Sequence, residues 1–156
     1  MSPYYIRTTR ECSVKNMSHK LTNAIQKHVE MFVPENIEAS LLICCETTST
    51  HKKTGLFANG NETIITGMLI TSQYLVWTEK KNKSEMVVTS ALLRNIDVND
   101  FENTAMYNVK PDSGINISGR YTDVTKQGLS FIGLGTDSAG EKFRLVLQHA
   151  IQKAQI

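Results

Sequence analysis

Three β-rich segments in the middle of the chain follow one another through turns too short to cross a sheet. The first two, ETIITGMLIT (62–71) and SQYLVWTE (72–79), meet in a tight turn around Ser72. The lysine-rich turn KKNK (80–83) then leads into SEMVVTSA (84–91). Because parallel strands need connections of about a dozen residues or more, these segments predict antiparallel hairpins. This constraint favours a domain dominated by antiparallel β-structure.

Further strand patterns lie on both sides of these hairpins. Before them, residues 37–47 alternate apolar and polar side chains with the period of a strand. After them, strand patterns occupy 92–103, 114–121 and 129–135. The total is about seven strands, with glycines inside some of them at points where a barrel bends. They predict an α+β, mainly β domain with a partly closed antiparallel barrel or orthogonal sandwich over 37–135.

One helix precedes the strands. The segment SHKLTNAIQKHVEMF (18–32) places apolar residues on one stripe at helical spacing, with Ser18 as its cap and Pro34 just beyond its end. We expect this helix to cover the second face of strand 37–47, which also carries apolar residues, with a partner subunit as the alternative cover. His28 lies on the stripe, and no second histidine or cysteine lies one turn away. We therefore interpret His28 as a packed residue and not as a metal ligand.

A glycine-rich stretch near the end of the chain, FIGLGTDSAGEKF (131–143), raises the question of a phosphate-binding loop. The dinucleotide pattern Gly-x-Gly-x-x-Gly fails because its third glycine position, counted from Gly133, is Ser138. No Gly-Lys-Ser/Thr sequence follows, so the P-loop pattern fails as well. Ser138 and Glu141 instead have the spacing of a capping box. The stretch predicts the turn into a helix over 138–154 that closes one end of the barrel.

Composition bounds the class of protein. A chain of 156 residues with 40% hydrophobic and 21% charged residues is typical of one soluble globular domain. No window approaches the ~20 apolar residues of a membrane span, and the N-terminus lacks the profile of a signal peptide. The net charge of +2 is too small to predict a nucleic-acid partner. We expect a cytoplasmic protein with a tail over 1–17 and a single domain over 18–156.

The sequence lacks the motifs of common enzyme sites. Its histidines form neither a His-Glu-x-x-His motif nor a zinc-like spacing, and no Gly-x-Ser-x-Gly elbow occurs. Cys12, Cys44 and Cys45 lack the Cys-x-x-Cys spacing of metal sites and are typical of reduced, structural cysteines. We therefore expect a protein that is not an enzyme and that uses no cofactor.

Three carboxylates near residue 100 are a candidate cation site. Asp97, Asp100 and Glu102 supply the oxygen ligands that hard cations prefer. Their spacing is not that of a calcium-binding loop, and they lie where a predicted strand ends before a turn. We expect no metal ion there.

The order of elements and one stretch of sequence resemble a known family. GMLITSQYLVWTEKKNKSEMVVTSALLRNIDVNDFEN (67–103) contains an apolar strand ending in threonine, a polar turn, a second apolar strand, a variable hairpin and a strand with Ile and Val. It is similar to the core of GRAM and bacterial pleckstrin-homology (PH)-like domains. The matching residues are Leu69, Ile70, Thr71, Leu75, Val76, Trp77, Leu93, Ile96 and Val98. The resemblance covers roughly residues 37–154 and implies the PH superfold, a seven-stranded barrel capped by a C-terminal helix.

The PH resemblance implies a ligand site at the open end of the barrel, where basic residues of two hairpin loops meet. These basic residues are His51, Lys52, Lys53, Lys80, Lys81 and Lys83. Clustered positive charge attracts phosphates or an anionic membrane surface. The second strand, however, carries Glu62 and no basic residue, although the family's phosphoinositide motif requires lysine or arginine there. Two interpretations stay open: an anion-binding site, or solvated lysines that keep the hairpin turns soluble.

Protein–protein contact is the main functional expectation. Bacterial PH-like proteins that the chain resembles often form closed oligomers through strand edges, and open edges invite pairing. Leu56 and Phe57 form an apolar pair near Lys52 and Lys53, a combination suited to contact with a partner or a membrane. We expect a non-catalytic PH-like module that forms a homo-oligomer or binds another protein. The alternative is a peripheral binder of anionic lipids or phosphorylated ligands.

Overall fold

The structure is a computed structural model of the chain, and it describes residues 5–52, 61–81, 85–122 and 127–156. Within these ranges the chain forms eight strands and three α-helices, joined by short 3-10 turns. The strands are Ile6–Glu11 (β1), Leu41–Lys52 (β2), Asn61–Thr71 (β3), Tyr74–Lys80 (β4), Met86–Leu92 (β5), Ile96–Asp100 (β6), Gly114–Arg120 (β7) and Gln127–Gly133 (β8). The helices are His19–Phe32 (α1), Ile37–Ser40 (α2) and Ser138–Ala154 (α3).

The strands form two antiparallel sheets. The first has five strands in the order β1-β2-β3-β4-β5, and the second has three in the order β6-β7-β8. The expected α+β, mainly β class is therefore confirmed, as are the antiparallel hairpins from β3 to β5. The described strands do not form a closed barrel, because no ladder joins one sheet to the other. Within the described residues, no helix has both the length and the apolar character needed to cross a bilayer.

β1 corrects the expectation of a tail over 1–17. It pairs with β2 in continuous register from Ile6 opposite Thr50 to Glu11 opposite Cys45. The sequence does not indicate this strand, because most of its side chains are polar or charged and do not alternate with apolar ones. Its stability comes from the neighbouring strand and from side-chain bonds, including one between the hydroxyls of Thr9 and Thr47 at 2.8 Å. Pairing of this kind depends on residues distant in the chain.

The predicted strand over 37–47 begins later than expected. Residues Ile37–Ser40 form the short helix α2, and the Asn36 side chain caps it by accepting from the backbone N–H of Ala39. The alternation at its start is therefore not that of a strand. The predicted strand over 92–103 is likewise shortened to β6, because 3-10 turns occupy the residues on either side.

Two apolar clusters lie on opposite faces of the five-stranded sheet. One lies between the two sheets and α3, and it contains Trp77 and Phe143, both fully buried. The other lies between the sheet and α1, where Ile25 packs in the same cluster as Cys44 and Val76. The expectation that the N-terminal helix covers the second face of the sheet is confirmed.

The start of α3 corrects the predicted cap. The helix spans the expected residues, but its cap is Asp137 and not Ser138: Asp137 Oδ1 accepts from the backbone N–H of Gly140 at 3.0 Å. The other oxygen, Oδ2, accepts from the backbone N–H of Thr9 at 2.8 Å. Asp137 is the better cap than Ser138, because its carboxylate accepts from an amide at the start of the helix and from an amide of β1 at the same time. The glycine-rich turn is thus tied to the edge of the first sheet.

Candidate interaction sites

The lysine-bearing end of the five-stranded sheet is the site that the sequence predicts. β2 and β4 run in the same direction because each pairs antiparallel with β3 between them. Their last residues, Lys52 and Lys80, therefore lie at the same end of the sheet. The side chain of Lys52 lies outside the part of the chain that the structure describes. The predicted contact residues that lie wholly outside it are Lys53, Leu56, Phe57 and Lys83.

The described basic residues at this end already make contacts. Lys80 Nζ lies 3.4 Å from a carboxylate oxygen of Glu62 on β3. The ring of His51 packs against that of Tyr5, with their centroids 5.4 Å apart. Lys81 is exposed, and its backbone N–H donates across the hairpin to a carbonyl. Because Glu62 pairs with one of the cations, the local positive charge is smaller than the lysines alone suggest.

A cleft of about 300 Å³ opens beside these residues, between the start of α1 and strands β3 to β5. Lys20 of α1 and Lys80 of β4 both line it, together with Thr63 and Glu85. Lys20 was not among the predicted site residues, because it belongs to a helix that is far from the lysine-rich turn in the chain. The cleft combines two lysines with a carboxylate, so it is mixed in charge.

The carboxylates considered as a cation site are held by an arginine. Arg144 of α3, whose side chain is 6% exposed, lies 2.6 Å from Asp100 and 2.8 Å from Glu102. Glu102 also accepts the backbone N–H of Gly114 at 3.1 Å. Asp97 is not part of this cluster. Among the described residues, no group of three or more His, Cys, Asp or Glu side chains is placed to hold a metal.

An apolar groove of about 540 Å³ lies between α3 and the start of β2. Two leucines form its edges: Leu145 on α3 is 61% exposed and Leu42 on β2 is 51% exposed. The remaining lining residues are Val146, His149, Ala150 and Lys153. The sequence does not indicate this groove, because Leu42 and Leu145 belong to separate elements that only the fold brings together. Two exposed leucines that line one groove form a surface that a protein partner can cover.

A polar groove of about 470 Å³ lies along another flank of α3, next to β6. Its strand side carries Asp97 and Asn99, and its helix side carries Gln148 and Gln152. Val98 and Ile151, which pack against the main core, also line it. The two flanks of α3 therefore present surfaces of different chemistry.

The cysteines and His28 belong to the packed interior. Burial raises the pKa of the Cys45 thiol to about 12 and holds that of Cys44 well above its usual range. Cys12 is half-buried, and burial raises its pKa as well. Protonated thiols are poor nucleophiles and metal ligands, which agrees with their interpretation as structural residues. His28 Nε2 lies 2.7 Å from the hydroxyl of Ser90 in a buried contact, so its interpretation as a packed residue is confirmed.

Comparison with known proteins identifies no family for the chain. No protein-family model matches it, and no curated protein matches it either.

Proposed function

We propose that this protein is a non-catalytic, PH-like interaction module that associates with a second copy of itself through the apolar groove. The observation that carries the proposal is the exposure of Leu42 and Leu145, which both line that groove. Covering apolar surface of this kind is the main driving force of protein association. In a twofold contact both copies use the same groove, so the two leucines of each copy would be covered by those of the other copy.

The order of the strands supports the PH-like part of the proposal. Without β1, the two sheets have four and three antiparallel strands in chain order, followed by α3. This is the layout that the sequence resemblance implies, with β1 and α1 as additions before it. The strand order supports a PH-like fold and does not by itself imply a function; self-association is proposed from the exposed leucines of the groove. The cytoplasmic location expected from the sequence stays a prediction.

The charge at the apolar groove gives self-association a recognisable salt dependence. Lys153 lines the groove, so both copies would carry a cation into a twofold contact. Added salt screens repulsion between exposed charges. We therefore expect the dimer to tighten as the concentration of sodium chloride rises, whereas binding to an anionic surface would weaken.

Sedimentation velocity over a range of protein concentrations tests the proposal. The wild-type chain should shift from monomer to dimer, and Leu145→Ser should remain monomeric. The matched control is Leu129→Ser, since Leu129 on β8 is 78% exposed but does not line the groove. This control should dimerise like the wild type. A strict monomer at about 1 mM, or equal dimerisation of Leu145→Ser, would refute self-association through this groove.

Anion binding at the lysine-bearing end is a second candidate function. It is favoured by the common position of Lys52 and Lys80 at one end of the sheet and by the cleft that Lys20 shares with Lys80. A phosphorylated ligand or an anionic lipid headgroup would supply the negative charge. Glu62 opposes this function because it pairs with Lys80.

Co-sedimentation with phosphatidylcholine vesicles, with and without phosphatidylserine, tests the second candidate. Adding inorganic phosphate as a competitor then distinguishes a phosphate-binding site from binding to the lipid surface. Glu62→Gln should strengthen binding by releasing Lys80, whereas the double variant Lys20→Ala/Lys80→Ala should weaken it. Lys27→Ala, at an exposed position on α1, is the charge-matched control for a single lysine. Binding that does not respond to salt or to these variants would exclude an electrostatic site here.

A further inference from the structure

The flank of α3 next to β6 carries an interaction surface that differs from the apolar groove. We propose that the polar groove binds an extended, positively charged segment of another protein, which adds to β6 as a new strand. This inference does not depend on self-association, because the leucines of the apolar groove take no part in it.

The backbone of β6 has an open side. Among the described strands β6 is an edge strand with β7 as its one partner, from Ile96 opposite Gly119 to Asp100 opposite Ile115. In an antiparallel pair, alternate residues direct their N–H and C=O groups towards the neighbour and the others direct them away. Within the described ranges, no backbone hydrogen bond joins this outer side of β6 to another segment. An added strand would pair these groups, which is how many sheets bind extended peptides.

The groove beside this edge has the shape and the floor that such a segment needs. Its volume of about 470 Å³ lies between β6 and α3. Val98 and Ile151 give it apolar contacts that are already anchored in the main core. The amides of Gln148 and Gln152 lie on the helix side and can donate to or accept from a backbone. A strand laid on β6 would therefore contact α3 as well.

The charge of the groove selects the chemistry of the incoming segment. Asp97 is the single charged side chain among the described residues that line it. Asp100, on the same strand, is paired with Arg144, whereas Asp97 has no ion-pair partner in the described part of the chain. A lysine or arginine on the added strand would pair with Asp97, and a carboxylate would be repelled. The polar groove thus fits a cationic partner, unlike the apolar groove with its Lys153.

A titration monitored by ¹⁵N–¹H NMR tests this proposal on the full chain carrying Leu145→Ser, so that self-association does not interfere. The probe is a blocked peptide of about six residues that alternates valine and lysine, the period of a strand. We expect shift changes in the backbone amides of 96–100 and 148–155. Asp97→Lys should weaken binding about fivefold or more, the size of a lost ion pair at an exposed site. Glu30→Lys, the same class of charge reversal at an exposed position on α1, should leave the affinity unchanged.

Two further peptides separate the backbone contribution from the charge contribution. The valine–glutamate peptide should bind more weakly than the valine–lysine peptide, and equal binding would refute selection by Asp97. N-methylation of alternate residues in the lysine peptide should abolish binding in one of the two registers, because it removes the amides that pair with β6. Retained binding in both registers would refute strand addition. The absence of shift changes at about 1 mM peptide would overturn the proposal as a whole.

Discussion

Two leucines on α3 that are separated by a single residue have opposite surroundings. Leu147 is 0% exposed and packs with Phe143 and Ala150 in the core between the sheets, whereas Leu145 is 61% exposed. Their residue type is the same, so the helix face alone decides which one stabilises the fold. The buried leucine contributes to folding, and the exposed leucine is available to a partner. The predictions below test this division between interior and surface along the chain.

The largest effect should come from truncating the buried leucine. Leu147→Ala should lower the free energy of unfolding by about 3 to 4 kcal/mol, because it removes apolar contacts and leaves a cavity. Leu145→Ala, the matched change on the exposed side, should alter it by less than about 0.5 kcal/mol. Urea unfolding followed by the fluorescence of Trp77 measures both. Equal losses for the two variants would mean that the division between the two faces is wrong.

The same comparison applies to two cations on α3. Arg144 is nearly buried against Asp100 and Glu102, whereas the side chains of the Lys142–Glu11 pair are 55% and 48% exposed. Arg144→Ala should cost about 2 to 3 kcal/mol, because it leaves two partly buried carboxylates without their cation.

The control for this prediction is Lys142→Ala. Loss of its exposed ion pair should cost at most about 0.5 kcal/mol, and salt should reduce even that difference. Guanidinium is itself a salt, so the measurement should use urea. A lysine variant as damaging as the arginine variant would contradict the assignment of Arg144 as the charge that anchors α3.

A smaller effect should distinguish the two candidate caps of α3. Asp137→Ala should cost about 1 to 2 kcal/mol, because both the amide of Gly140 and that of Thr9 lose their acceptor. Ser138→Ala should change the stability by less than about 0.5 kcal/mol. Hydrogen exchange adds a local readout: the Thr9 amide should lose protection in the aspartate variant only. Unchanged protection of Thr9 would argue against the link between α3 and β1.

The smallest effect concerns the buried thiols of β2. Because burial raises the pKa values of Cys44 and Cys45 in the folded protein, the folded state holds their protons at pH values where the unfolded state releases them. The contribution of these thiols to the free energy of unfolding is therefore fully present while the pH is below their pKa in the unfolded state. It decreases as the pH rises above that value. When the pH rises from 8 to 9, the two thiols together should lower the free energy of unfolding by about 1 kcal/mol.

Urea unfolding at a series of pH values measures this loss, and Cys45→Ala should flatten the slope. Thiol labelling of the folded protein should modify Cys12 faster than Cys44 or Cys45, since only Cys12 is partly exposed. Rapid labelling of all three would show that the interior of β2 is open to solvent.

Local patterns predicted much of the fold. The hairpins from β3 to β5 follow from turns that leave no room for a crossover, and α1 follows from an apolar stripe with the helical period. These features depend on residues that are close in the chain, so they can be inferred without knowledge of the rest of the fold.

The errors arise where distant contacts outweigh local signals. β1 lacks an apolar alternation and forms because it pairs with the edge of β2. Residues 37–40 form α2 and not the start of a strand, because the Asn36 side chain caps a helix there. The candidate sites were harder still to infer. Lys20 joins Lys80 through the packing of α1, and Leu42 joins Leu145 through the packing of α3.

The sequence by itself determined the class of the domain: antiparallel hairpins, an N-terminal helix and a C-terminal helix, each set by the spacing of apolar residues and turns. Only the tertiary structure decided which charges are paired and which surfaces are open. Asp137 accepts a hydrogen bond from β1, Arg144 pairs with Asp100, and Asp97 lies on β6, an edge strand among those described. The physical reason is that periodicity acts within a few residues, whereas pairing and exposure depend on neighbours that folding alone brings together.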